Sequence, residues 1–272
     1  MHVGLSFFTQ VQIDADWCSG SDQTSLAQKF KKMIQFAQHD TRLVAIKTLP
    51  NNVDAYLELE ILRAAQGHPN VIKLLHTEET PDNIILTMEA YPRTLLDVVT
   101  DHPEGIPLPR VIHIFHQIID ALQHLHTLGY IHGDVKLENI LIDEADDDHI
   151  YLIDFGMSSS YTPGVTHFRT NHGSVHYAAP EVWLCRPCEG PEVDVWALGV
   201  CLFLMVTSYF PFAGGNPQEV WSEIKTRQLW KDDTLKFEPV LFDLLTQMIH
   251  WNPRWRIKLA EIWVHPWMRE QK

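Results

Sequence analysis

The sequence predicts an α+β fold with two lobes, a small β-rich N-terminal lobe with one major helix and a larger, mainly helical C-terminal lobe. Two observations support this prediction. Short apolar runs separated by polar turns occupy much of residues 36–89, whereas apolar residues recur at helical spacing from Pro109 onward. The pattern changes over residues 89–93, which indicates a hinge between the lobes.

Four strands and one helix are expected in the N-terminal lobe. The segment FAQHDTRLVAIK (36–47) is typical of two strands around a polar turn, and VIKLLHTEE and NIILTME form a second pair joined by a Pro-Asp-Asn turn. Residues 53–65 read as a helix that places Glu58 and Leu62 one turn apart on one face. Residues 1–24 show no clear periodicity.

The C-terminal lobe is expected to be built on amphipathic helices. Pro109 opens a helix that ends at Gly129. Its apolar positions follow helical spacing: Val111, Ile114, Phe115, Ile118, Leu122 and Leu125. Two short strands, NILI and IYLI, come next, separated by the acidic residues 144–148. Those residues lack the glycine and terminal glutamate of a calcium loop, so a solvated turn is expected.

Composition narrows the classes of function. The 272 residues are 45% hydrophobic and carry a formal net charge of −14, which suits a globular protein and disfavours a nucleic-acid partner. The most apolar stretch, residues 195–206, is too short to cross a bilayer and reads as a buried core helix. A lone C-x-x-C (Cys185 and Cys188) and the lack of a secretory signal predict an intracellular protein, cytoplasmic and/or nuclear, without a membrane partner.

Two polar segments carry residues suited to phosphoryl transfer. HGDVKLEN (132–139) follows the amphipathic helix and contains Asp134 to accept a hydroxyl proton, Lys136 to face the transferred phosphate and Asn139 to offer an oxygen to Mg²⁺. Asp154 follows the next strand, in the sequence Asp-Phe-Gly. Magnesium takes oxygen ligands and keeps substrate phosphates as partners, so one Asp and one Asn suffice.

These segments, in this order, resemble the signature set of the protein kinase superfamily. VAIK ends at Lys47, Glu58 lies on the following helix, and HGDVKLEN, DFG and APE (179–181) come in the same order as in that family. The form G-S-x-x-Y before APE is similar to the serine/threonine kinases, and GSVHYAAPE with the terminal HPWM to the calcium/calmodulin-dependent and Snf1-like group. The resemblance implies a bilobal protein kinase fold over residues 1–272, with lobes 1–90 and 91–272.

The resemblance also implies ATP and Mg²⁺ as cofactors and a role for each matching residue. Glu58 would hold Lys47 against the nucleotide phosphates, and Asn139 and Asp154 would bind magnesium. The adenine pocket would involve Met88 as gatekeeper, with the Glu89 carbonyl and the Tyr91 amide on the adenine edge. Glu138 is assigned to the nucleotide-binding set, and its side chain could instead meet a basic substrate or be a loop surface charge.

The resemblance implies three further contacts. Ser174 would lie against Asp134 and Lys136. Arg256 would pair with the glutamate of APE, Glu181. Leu62, His132 and Phe155 would stack in an internal spine.

The sequence departs from the family at two places. Aligning Ala37 with the alanine that commonly ends the phosphate loop puts the expected glycines at Ala27, Lys29 and Lys32, in the glycine-free segment AQKFKKMIQFA. The two lysines could bind phosphate by charge, or form a solvated basic strand face. Gly133 stands where most of the family has an arginine that pairs with a phosphorylated residue, here Thr170. We therefore expect activity not to depend strongly on phosphorylation of Thr170.

Taken together, the motifs predict a serine/threonine protein kinase that acts on protein hydroxyls. All six residues expected to carry transfer are present: Lys47, Glu58, Asp134, Lys136, Asn139 and Asp154. The glycine-free segment leaves an alternative, a pseudokinase that serves as a nucleotide-binding or protein-interaction scaffold. A small-molecule kinase is disfavoured because the APE segment and the long helical lobe resemble platforms for peptide substrates.

Overall fold

The computed structural model describes residues 33–39, 42–166, 174–226 and 238–269. These residues form two compact units. The first runs to Gln66 and resumes over Ile72–Tyr91, and the second contains Gly67–Val71 and the chain from Pro92 onward. The first unit is β-rich with one helix and the second is mainly helical, so the predicted α+β class is confirmed.

Some predicted positions lie outside the described residues: residues 1–24, Ala27, Lys29, Lys32, Thr170 and Gly173. The assignment of residues 1–272 to a single domain, with lobes 1–90 and 91–272, stays a prediction.

The first unit contains a four-stranded antiparallel sheet. Its strands are β1 (Met33–His39), β2 (Arg42–Pro50), β3 (Leu74–Glu79) and β4 (Asn83–Glu89), in the order β1-β2-β4-β3. The two strand pairs predicted from the sequence are both present. The register places Lys47 opposite Leu86, and Leu86 opposite Thr77 on the other side.

One helix, α1 (Val53–Ala64), packs on this sheet and matches the helix predicted over residues 53–65. Asn52 caps it, because its side-chain oxygen accepts a hydrogen bond from the Ala55 N–H at 2.9 Å. The buried face carries the apolar residues Ala55, Leu59, Ile61 and Leu62. Glu58 is buried among them, which is costly for a carboxylate unless it has a partner.

The second unit is organised around two long helices. The described helices are α2 (Leu95–Thr100), α3 (Leu108–Thr127), α4 (Pro180–Trp183), α5 (Pro191–Thr207), α6 (Pro217–Thr226), α7 (Pro239–Met248), α8 (Leu259–Ile262) and α9 (Pro266–Arg269). The apolar positions predicted for α3 are all buried, and α5 is the buried core helix predicted over residues 195–206. A Cβ added at Gly199 would lie 2.9 Å from Met248 Cβ, so glycine lets α5 approach the end of α7 closely.

Short strands frame the polar segments of the second unit. β5 (Arg93–Thr94), β7 (Ile140–Asp143) and β8 (His149–Leu152) form one antiparallel sheet, and β6 (Tyr130–Ile131) pairs with β9 (Ser159–Ser160). Because β6 and β7 flank residues 132–139, and β8 and β9 flank residues 153–158, both polar segments begin and end at strands. None of the helices in the described ranges is long and apolar enough to cross a bilayer.

Candidate active site

The loop after β6 is fixed by a buried carboxylate. Asp194, in the first turn of α5, accepts hydrogen bonds from the backbone N–H groups of His132 at 2.9 Å and Gly133 at 2.8 Å. His126 Nε2, at the end of α3, lies 2.8 Å from Asp194 Oδ2. Gly133 has a φ of 78°, a conformation that glycine adopts without strain. No contact of Asp194 was predicted from the sequence, in which it directly precedes the apolar stretch 195–206.

The pKa of Asp194 reflects this network. Complete burial alone would raise it, but the hydrogen bond and charge of His126, together with His132 and the Gly133 N–H, leave the pKa of Asp194 below its ordinary value. The carboxylate is therefore ionised in the folded protein and can hold both backbone donors.

Asp134, Lys136 and Ser174 form a compact cluster in the second unit. Lys136 Nζ lies 2.8 Å from Asp134 Oδ2 and donates to Ser174 Oγ at 2.8 Å. The Ser174 hydroxyl donates to Asp134 Oδ1 at 3.2 Å, and the Ser174 N–H donates to the same oxygen at 3.1 Å. The predicted contact of Ser174 with the two charged residues is confirmed.

Asn139 closes the other side of Asp134. Its amide nitrogen donates to the Asp134 carbonyl oxygen at 2.9 Å and to Oδ2 at 3.2 Å, and the residue is buried. Because the amide nitrogen is engaged in this way, the amide oxygen is the atom through which Asn139 would bind a cation.

Asp154 lies in a strained turn after β8. Its φ of 61° is in the left-handed region, uncommon for a residue with a side chain, and its Oδ1 accepts from the Gly156 N–H at 3.4 Å. Carboxylate and amide oxygens of Asp154 and Asn139 are hard ligands that suit magnesium. Within the described parts of the chain no group of three or more His, Cys, Asp or Glu side chains could hold a metal ion.

Lys47 and Glu58 form a buried ion pair in the first unit. Lys47 Nζ and Glu58 Oε1 are hydrogen-bonded, and the two side chains are only 4% and 5% exposed. Strand β2 supplies the lysine and helix α1 the glutamate. The pairing expected from the resemblance is therefore present.

The predicted adenine-binding residues lie at the end of the same sheet. Met88 and Glu89 are the last residues of β4. The Glu89 N–H donates to the Lys73 carbonyl at 3.0 Å, and the Tyr91 hydroxyl donates to Glu89 Oε2 at 3.3 Å. Their roles toward a nucleotide stay predictions.

Glu138 has a partner that the sequence did not reveal. The Tyr177 hydroxyl donates to Glu138 Oε2 at 3.0 Å. Burial raises the pKa of Tyr177 well above its ordinary value, with Cys201 and Glu138 adding to the effect, so the phenol stays protonated and remains a donor. The side chain of Glu138 is thus tied to the segment that follows Ser174.

A buried ion pair joins α4 to the loop before α8. Arg256 Nη1 and Nη2 donate to the two carboxylate oxygens of Glu181 at 2.7 and 3.0 Å, and both side chains are almost fully buried. The guanidinium also lies over the Trp196 ring, 5.2 Å from its centroid. The predicted pairing of Arg256 with Glu181 is confirmed.

Comparison with known proteins identifies the family. Residues 29–268 match the family model described as the protein kinase domain. The chain belongs to the protein kinase family. The matched residues include both ion pairs and the Asp134 cluster, so the kinase motifs of the sequence coincide with the clusters described above.

Relatives of the kinase domain specify its type. The chain is 34% identical over 213 residues to sperm motility kinase 2B of Mus musculus. The aligned residues make up 78% of this chain and 43% of the relative. It is 35% identical over 206 residues to the probable serine/threonine-protein kinase MARK-A of Dictyostelium discoideum, covering 75% of this chain and 19% of the relative. The chain spans less than half the length of these curated relatives. The resemblance to serine/threonine kinases of the calcium/calmodulin-dependent and Snf1-like group is confirmed.

Proposed function

We propose that this chain transfers the γ-phosphate of Mg-ATP to serine or threonine hydroxyls of protein substrates. The observation that carries the proposal is the position of Ser174, whose hydroxyl lies between the Asp134 carboxylate and the Lys136 ammonium. A hydroxyl in that setting has an acceptor for its proton and a cation for developing phosphate charge. Those are the groups that hydroxyl phosphorylation requires.

The transfer itself is assigned to the second unit. The substrate oxygen bonds to the γ-phosphorus as the bond from that phosphorus to the bridging oxygen of ADP breaks. Asp134 orients the hydroxyl and takes its proton, and Lys136 offsets charge on the transferred group. The amide of Asn139, bonded to Asp134, keeps the carboxylate in one orientation.

Nucleotide binding is assigned to the residues predicted to contact the phosphates and adenine and to those predicted to bind magnesium. Lys47, held by Glu58, would contact the α- and β-phosphates, and Met88, Glu89 and Tyr91 would contact adenine. Asn139 and Asp154 would hold Mg²⁺, which neutralises phosphate charge when bound. Glu138 stays in the nucleotide-binding set as a prediction. We place the protein inside the cell, with Ser/Thr-containing proteins as its substrates.

The test is transfer of labelled γ-phosphate from Mg-ATP to a mixed Ser/Thr peptide library. Asp154→Asn is expected to abolish transfer because a neutral amide replaces the proposed magnesium ligand. Asp147→Asn is a matched control, since Asp147 also has a positive φ, 52°, and its side chain is 97% exposed. The control should transfer at the wild-type rate, because asparagine tolerates this conformation.

The outcomes separate the two functions predicted from the sequence. Unchanged transfer by folded Asp154→Asn would overturn the role of Asp154. No transfer by a folded wild-type protein would overturn the proposed activity and favour the pseudokinase scaffold.

A further inference from the structure

Helix α1 carries Glu58, so whatever holds α1 on its sheet also holds the Lys47–Glu58 pair. The buried face of the helix, with Ala55, Leu59 and Leu62, supplies non-directional attachment. Apolar contacts of this kind resist separation of helix and sheet more than they resist sliding or rotation. A carboxylate must be placed within hydrogen-bonding distance of one ammonium group, so directional contacts are also required.

The strand register places the sheet residues available for such contacts in two rows, each made of one residue from β2, β4 and β3 that lie opposite one another. Lys47, Leu86 and Thr77 are directly opposite one another on β2, β4 and β3. Leu49, Ile84 and Glu79 form the next row on the same face, two residues along each strand. The central residues Leu86 and Ile84 are buried at 0% and 1% exposure, so this is the face on which α1 packs.

Two side chains of α1 reach the edge strand of these rows. The Tyr56 hydroxyl donates to Glu79 Oε1, and Arg63 Nη2 donates to Thr77 Oγ1 at 2.8 Å. The hydrogen bond to Glu79 raises the pKa of Tyr56, so the phenol remains a donor at neutral pH. Tyr56 and Arg63 are seven residues apart, nearly two full turns, and therefore lie on one side of the helix.

Glu58 reaches the sheet at the other end of the same rows. Its carboxylate bonds to Lys47 on β2, whereas Tyr56 and Arg63 bond to β3, and β4 lies between the two strands. Helix α1 is thus attached through polar groups on both sides of β4. Contacts on both sides of β4 oppose rotation of the helix about its axis more than contacts on one side would.

We propose that Tyr56 and Arg63 are positioning residues that clamp α1 to β3 and so keep Glu58 bonded to Lys47. They act through the helix and do not themselves contact a nucleotide. The proposal can be tested by two measurements, and one of them, peptide phosphorylation, rests on the proposed transferase function. The other readout, hydrogen exchange in α1, does not require activity.

Both contacts are solvent-exposed, so their expected effects are moderate. A solvent-exposed hydrogen bond of this type is expected to shift the equilibrium of the helix by about threefold to fivefold. Tyr56→Phe removes only the hydroxyl, and Thr77→Val removes the acceptor of Arg63 with little change of shape. Neither change touches the buried face of α1, so both variants should fold.

The experiment measures peptide phosphorylation and backbone hydrogen exchange in parallel. Tyr56→Phe and Thr77→Val are each expected to lower kcat/KM about threefold and the double variant about tenfold, with faster exchange confined to α1. Glu78→Gln is the matched control. Glu78 lies on β3 between Thr77 and Glu79, faces the other side of the sheet, and should change neither readout.

Repeating the Tyr56→Phe substitution in a protein that lacks the Glu58 carboxylate distinguishes a positioning role from a general effect on stability. In a Glu58→Leu protein position 58 offers Lys47 no acceptor, so the clamp has no bond to maintain and adding Tyr56→Phe should cause no further loss of transfer. An equal further loss there, or unchanged α1 exchange in the double variant, would overturn the proposal. If the wild type transfers no phosphate but exchange in α1 still rises in the double variant, the clamp stands and the proposed activity fails.

Discussion

The hydroxyl of Ser174 joins two side chains of opposite charge in the second unit. It accepts from Lys136 and donates to Asp134, while its backbone N–H makes a separate bond to Asp134. Hydrogen bonds to charged groups are stronger than neutral ones. The residue therefore orients both groups that are proposed to act on the substrate hydroxyl.

Ser174→Ala is expected to lower kcat/KM for a peptide substrate about tenfold, because two hydrogen bonds to charged groups are lost. Ser174→Thr keeps the hydroxyl and should retain most activity. The measurement is steady-state phosphorylation at saturating Mg-ATP. Alanine and threonine variants of equal activity would contradict this role of the hydroxyl.

Thr170→Ala serves as the comparison in the same assay. Thr170 lies outside the described residues, and Gly133 offers no guanidinium to a phosphate on it. We expect this variant to keep most of its activity. Near-complete loss would contradict this expectation.

At the scale of elements, α4 is anchored by a buried ion pair. Glu181 lies in this four-residue helix, and its carboxylate is buried with the guanidinium of Arg256. The same guanidinium donates to the carbonyl of His250 at 3.0 Å and packs over Trp196 of α5. One side chain thus ties together α4, α5 and the segment before α8.

Arg256→Met is expected to destabilise the protein by about 3–5 kcal/mol, because the Glu181 carboxylate stays buried without its partner. Urea unfolding followed by tryptophan fluorescence would measure the loss. Arg254→Met, a change at an exposed arginine two residues away, should cost no more than about 0.5 kcal/mol. A double Glu181→Gln, Arg256→Met variant that is no more stable than Arg256→Met would contradict the explanation.

At the scale of the whole molecule, the stability of the fold depends on pH through its buried charges. Asp194 is wholly buried and its pKa lies below the ordinary value of 3.8. A carboxyl with a lowered folded-state pKa stabilises the fold fully above its unfolded pKa. That contribution is lost as the pH falls through the folded value.

Asp194→Asn is expected to unfold at lower urea concentration than the wild type at pH 7. The difference between the two proteins should shrink as the pH falls below about 4, where the unfolded carboxyl binds a proton and the folded one does not. Urea midpoints measured from pH 3 to pH 7 would test this. A difference that is constant over the range would show that the charge of Asp194 does not contribute.

Local sequence was enough to predict most elements of the fold. The helix over residues 53–65 and the long helix after Pro109 follow from apolar spacing and capping residues, which act within a few residues of chain. Strands β7 and β8 are each displaced by one residue from the predicted segments NILI and IYLI, because hydrogen bonding between the two strands decides where each strand ends.

The sequence by itself determined the order of the kinase motifs and hence the residues proposed for catalysis. Tertiary structure decided what holds those residues in place. Asp194 binds the His132 N–H from 62 positions along the chain, Tyr177 reaches Glu138 from 39, and Tyr56 meets Glu79 from 23. Such pairs depend on how helices and strands pack, and no spacing rule in a single sequence specifies which distant groups will meet.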